Sequence, residues 1–129
     1  MNPERPHHRP KLQSFRKLEC GGHILTSPDG KMVHRIVREF GGERPLVICL
    51  LHPPADKGDH SDIEPWVARA KAAGFGRLSI IYLFPHRAAD MNGIRKHGVP
   101  WGGKFNVEIW DMEVRRADRE GGRVIAAWG

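Results

Sequence analysis

The sequence predicts an α/β fold: a small parallel or mixed sheet with flanking helices, preceded by a β-hairpin. Three observations carry this expectation. Residues 46–51 and 78–84 are short, nearly continuous apolar runs rather than alternating ones, the pattern of strands buried on both faces. A segment with helical periodicity separates them, and a longer one follows the second. A third apolar run, residues 123–128, comes after that helix. Strands alternating with helices read as βαβ units around a parallel sheet.

In chain order, residues 1–19 come first, with Pro3, Pro6 and Pro10. Five Lys and Arg residues against two Glu residues give them +3 of the chain's net +6. Such a basic, Pro-rich segment is expected to be a flexible tail, with residues 20–129 forming one domain. Residues 22–27 and 31–40 flank Pro28-Asp29-Gly30, a strong turn signal, and read as a hairpin. In its second arm Val33, Ile36 and Val37 interleave with His34, Arg35 and Arg38, so one face is expected to be wet. Residues 41–45, Gly-Gly-Glu-Arg-Pro, break the chain before the first buried strand.

A polar loop, residues 52–60, follows that strand. The next helix can be capped by Ser61, Asp62 or Glu64, and Pro65 is tolerated only in its first turn. Ile63, Trp66, Val67 and Ala70 give it one apolar stripe, and Gly74 ends it. The second buried strand runs into Pro85-His86-Arg87-Ala88-Ala89-Asp90, and a short helix is expected over residues 90–97. Residues 104–120 form the longest predicted helix, with Phe105, Ile109 and Met112 on one stripe and Val107, Trp110 and Val114 widening it. Gly121-Gly122 terminates it before the third strand.

Composition narrows the function classes. With 40% hydrophobic and 28% charged residues and a mean hydropathy of −0.50, the 129-residue chain has the profile of a globular domain. No stretch approaches the ~18 apolar residues of a membrane span, and the N-terminus has no apolar signal-peptide core. Cys20 and Cys49 give no disulfide framework, so a reducing, cytoplasmic setting is expected. The net charge suits nucleic acid or another polyanion as partner.

In open α/β sheets, ligands bind outside the carboxyl ends of the strands. That rule selects His52, Asp56, Asp59 and His60 after the first strand, and His86, Arg87 and Asp90 after the second. His52 or His86 is the candidate general base, with Asp56 or Asp90 to orient it. Arg87 is the candidate anion receptor. Tyr82, Phe84 and Trp128 are candidate stacking aromatics for bases or nucleotides. The spacing of these His and Asp residues matches no compact metal motif, so no metal and no cofactor are expected. Phosphate-binding and nucleophile-elbow motifs are absent from the sequence.

These residues carry a resemblance. Leu51-His52-Pro53-Pro54-Ala55-Asp56, Gly74-Phe75-Gly76, Tyr82-Leu83-Phe84-Pro85-His86-Arg87-Ala88-Ala89-Asp90 and Ala126-Ala127-Trp128-Gly129 occur in the order found in the domain of unknown function 1643 family. The chain resembles that family over about residues 20–129. Family asparagines stand as His52 and Tyr82 here, and the arginines at the helix start stand as Glu64 and Pro65. An amide offers a donor and an acceptor in a fixed fork, which imidazole and phenol do not reproduce. The resemblance also implies a further helix, a strand and a His-Pro segment after residue 129, so a C-terminally shortened member is expected. At fold level the family layout is similar to that of uracil-DNA glycosylases.

The expected function is a nucleic-acid- or nucleotide-binding α/β module without catalytic activity of its own. Two alternatives stand beside it. One is a protein-interaction or inhibitory factor with a partner at the C-terminal edge. The other is a hydrolase or glycosylase-like enzyme acting on a nucleobase or nucleotide.

Overall fold

The structure, a computed structural model, describes residues 13–19, 21–58, 60–96 and 101–127. The two buried runs form β4 (Pro45–Leu50) and β5 (Arg77–Tyr82), with the hairpin before them as β2 (Gly22–Thr26) and β3 (Val33–Glu39). The third apolar run gives β6 (Arg123–Ala126). A further strand, β1 (Ser14–Lys17), lies within the segment expected to be tail and pairs antiparallel with β2. Its side chains are all exposed, so hydrophobic patterning could not mark it; backbone pairing to β2 holds it.

The strands form one mixed sheet in the order β1-β2-β3-β5-β4-β6, with β4 parallel to both β5 and β6. Helix α1 (Glu64–Ala72) links β4 to β5; α2 (Met91–Arg95) and α3 (Gly103–Arg119) link β5 to β6. Because side chains alternate along a strand, β4 feeds two cores. Leu46 and Ile48 pack with Leu78, Ile80, Val67 and Ala70 under α1. Val47 and Cys49 pack with Ile81, Leu25, Ile109 and Ala117 under α3. No helix among the described residues is long and apolar enough to cross a membrane.

Four local expectations are corrected. No side chain caps the N-terminus of α1, which continues directly from a short 3₁₀ turn at Ser61–Ile63; Asp62 instead accepts the Tyr82 hydroxyl. The second strand ends at Tyr82, where the backbone turns so that the Leu83 and Phe84 N–H groups bond Leu50 O and Leu51 O. The buried stripe of α3 is Asn106, Ile109, Glu113 and Ala117, while Met112, Val107 and Val114 are exposed. The helix rotates toward its polar residues because the sheet beneath presents polar partners: Ser79 and Arg35 bond the Glu113 carboxylate at 2.7 and 2.9 Å. Finally, the third apolar run forms a strand only over Arg123–Ala126, and β6 is exposed along its whole length, since it occupies a sheet edge.

Candidate functional site

β4 and β5 are neighbours that end at the same edge of the sheet, and their connections leave toward opposite faces, one to α1 and the other to α3. That divergence opens a crevice at the carboxyl ends of the two strands, the general ligand position of such sheets. The loop after β4 and the loop after β5 form its walls. The turn between β2 and β3 approaches from the side.

Arg87 ties these three segments together. Its Nε donates to Gly30 O at 3.0 Å, and its Nη1 donates to Pro54 O and Asp56 O at 3.3 and 3.1 Å. The backbone repeats the connection: Arg87 N donates to Lys31 O and Ala88 N to Pro53 O. The turn is itself fixed by Asp29, whose carboxylate accepts from Ser27 Oγ and Lys31 N. Those two bonds hold the Asp29 carboxyl below its usual range. Lys57 reaches across from the loop after β4 and donates to Asp29 O.

Between these segments and the sheet lies a cleft of about 140 Å³. Ile24 and Thr26 of β2 lie along its sheet side, Arg16, Lys57 and Arg87 bring charge into it, and the His60 imidazole lines it beside them. No Asp or Glu is among the described residues that line it. Arg16 arrives because β1 pairs with Arg16 opposite Ile24, which puts both on the α1 face of the sheet. The electrostatics register in His60: burial lowers its pKa first, the Arg87 charge lowers it next, and Asp62 works in the opposite direction.

The other predicted site residues go elsewhere. His52 Nδ1 donates to Pro53 O at 3.0 Å within its own loop. Asp56 accepts from Gly58 N at 2.9 Å and shapes the tip of that loop. Asp90 caps α2 through Gly93 N. His86 lines a neighbouring hollow with Asp29, Lys31 and Met32. Tyr82 is fully buried and presents no face for stacking; its hydroxyl donates to Asp62 Oδ2 at 2.8 Å, and burial followed by the Asp62 charge raises its pKa well above 10. Phe84 is half-buried. Trp128, with Asp59 and Cys20, falls outside the described residues. No group of three His, Cys, Asp or Glu side chains able to hold a metal occurs among the described residues.

One buried polar network escaped sequence reasoning. Asn106 Nδ2 donates to Tyr82 O and Trp101 O, both at 3.1 Å, which orients the amide so that Oδ1 accepts from His34 Nδ1 at 3.1 Å. His34 is the extra residue of a bulge, since Thr26 and Leu25 pair with Val33 and Arg35. Burial lowers its pKa, and the Asn106 bond opposes that shift. The sequence signal was weak: a histidine on the predicted wet face of a strand, and an asparagine within an apolar stripe.

Residues 34–129 match a family described as Protein of unknown function (DUF1643). The chain belongs to the DUF1643 family. The DUF1643 match begins in β3 and takes in β4, β5, β6 and all three α-helices. It leaves out β1, β2 and the turn after them, so Lys57, His60 and Arg87 of the cleft lie inside the matched span, while Arg16, Ile24 and Thr26 lie outside it. No curated protein and no solved structure matches this DUF1643 chain.

Proposed function

We propose that this chain is a binding module for phosphate-bearing ligands, a nucleotide or the backbone of a nucleic acid, without catalytic activity of its own. The observation that carries the reading is the cleft that the loops after β4 and β5 form against β1 and β2. Arg16, Lys57 and Arg87 meet there on three separate segments with the His60 imidazole beside them, and among the described residues no carboxylate lines the space they share. Like charges gathered this way repel one another, and an anion relieves that repulsion. The shape agrees, since about 140 Å³ admits a phosphate group but not a whole nucleoside. Arg87 is held in place by three carbonyl oxygens, so its charge is positioned before any ligand arrives. The chain's net charge of +6 would add steering at longer range. Binding rather than turnover is favoured because His52, Asp56 and Asp90 are each engaged with local backbone.

Fluorescence anisotropy with a labelled single-stranded oligonucleotide tests the reading. Three phosphate contacts on a single strand give log K against log salt a slope of about −2. The double variant Arg16→Ala, Lys57→Ala is expected to flatten that slope to about −0.7, the contribution of one remaining contact. Absence of binding at low salt, or an unchanged slope in the double variant, would overturn it.

A further inference from the structure

A second hollow, larger than the cationic cleft, lies at the opposite end of the sheet from it. It is a groove of about 520 Å³ between α1 and the end of β3. Val67 and Lys71 of α1 form one wall, the segment from Arg38 to Gly42 forms the other, and Gly74 and Phe75 close the end. Its volume lies within the range of small-molecule pockets, roughly 300–1,000 Å³.

Three features of the groove point to one ligand chemistry. First, it has an apolar lining: the half-buried Phe40 ring, with the edges of Val67 and Phe75, each 8% exposed. Second, its charge is cationic and loosely committed. The Lys71 ammonium lies 5.3 Å from the centre of the Phe40 ring. Arg38 holds Glu64, itself largely exposed, at 3.4 Å, and its buried Nε has no acceptor. A guanidinium fork normally engages carboxylate through two donors, so Arg38 is under-bonded. Glu39, the one acid among the described lining residues, is turned to Arg77 at 3.5 Å. Third, the C-terminus of α1 offers no competing set of open carbonyls. Arg69 O, Ala70 O and Lys71 O accept from Ala73 N, Phe75 N and Gly74 N. The Gly41 and Gly74 edges are open, since an added Cβ at either meets nothing within 4 Å.

We infer that this groove is a binding site for a small aromatic carboxylate, the ring lying against Phe40 and the carboxylate set between Lys71 and Arg38. The ligand exchanges a weak surface ion pair, Arg38 with Glu64, for a closer anion, and covers apolar surface that water now meets. The site is separate from the cationic cleft in both position and residues, so either can fail without the other.

The test is an NMR titration of the full chain with 2-naphthoate, following the glycine amides. Sodium acetate serves as the anion without a ring, and 2-naphthalenemethanol as the ring without an anion. Naphthoate is expected to shift Gly41, Gly42 and Gly74 while leaving Gly30, at the cationic cleft, in place. Each control ligand is expected to bind at least about tenfold more weakly, one lacking the charge contact and the other the buried ring. Lys71→Gln lies on an exposed helix face, so the fold is retained; it is expected to weaken naphthoate about fivefold to tenfold. Phe40→Leu is expected to weaken it by a similar factor. Shifts confined to other regions, equal binding of the neutral analogue, or unaltered affinity in Lys71→Gln would each overturn the inference.

Discussion

Replacing Glu113 with Ala should be among the most damaging single changes in this chain. Its carboxylate is fully buried in the middle of α3. One oxygen accepts from Arg35 at 2.9 Å, and the other accepts from Ser79 at 2.7 Å and lies 3.6 Å from Arg77. The Arg35 and Arg77 side chains are only 11% and 13% exposed, so neither can turn to bulk water when the carboxylate goes. Arg77 would keep Glu39 at 3.5 Å, a half-exposed partner, and its Nε already lacks an acceptor. Removing one member of a buried ion pair costs about 3–5 kcal/mol, because the remaining charge is left desolvated. For a domain of this size that lowers Tm by roughly 10–20 °C. Urea unfolding followed by circular dichroism would measure it. The complementary variant sharpens the reasoning. Arg35→Met should also destabilise, by stranding Glu113, whereas the double variant Glu113→Leu, Arg35→Met should cost less than the sum of Glu113→Leu and Arg35→Met made singly. The coupling should be at least about 1 kcal/mol, since contacting residues in one network do not add. A cost below about 1 kcal/mol for Glu113→Ala, or strict additivity in the double variant, would refute the claim that α3 is pinned by a buried charge cluster.

Two further predictions concern backbone fit and pH. A Cβ on Gly76 would clash with the backbone of Gly42, whereas one on Gly41 meets nothing within 4 Å. Gly76→Ala should therefore cost more than about 3 kcal/mol or prevent folding, while Gly41→Ala, strained only by its φ of +89°, should cost about 1 kcal/mol; similar Tm values for the two would contradict this. His23 is held neutral down to about pH 4, first by burial and then by the charges of Arg35 and Arg77. The unfolded chain takes up that proton near 6.5, so stability is full above about pH 6.5 and falls as the pH drops toward 4. Thermal melts between pH 7.5 and 4 should show that decline, and it should be shallower in His23→Gln; an equal slope in the variant would assign the loss to other groups.

The cationic cleft shows how far the sequence reached toward a site. The carboxyl-end rule pointed to the loops after the two buried strands, and Arg87, Lys57 and His60 are on those loops. Within them the rule could not distinguish which polar side chains face the crevice. His52 and Asp56 have the right chemistry but are satisfied by backbone within two residues, a choice made by loop conformation. Tyr82 stood in a strand with an aromatic ring, and only the packing of α1 decided that the ring is buried with its hydroxyl on Asp62. Arg16 appeared as tail charge because a four-residue strand exposed on both faces carries no hydrophobic period.

What the sequence determined by itself is what local physics controls. Continuous apolar runs define β4 and β5, Pro28-Asp29-Gly30 sets the turn between β2 and β3, and helical periodicity with Gly121-Gly122 delimits α3. Asp90 caps α2 through the amide of Gly93, three residues on. These features depend on contacts within a few residues, so residue order suffices to reveal them. Long-range packing settles the rest: the placement of β4 between β5 and β6, the pairing that carries Arg16 over the cleft, and the rotation of α3 that buries Glu113 rather than Met112. Arg35 and Glu113 are 78 positions apart, and neither is unusual in its own segment. A buried charge is tolerated only where its partner stands opposite, and that juxtaposition exists once the sheet is assembled.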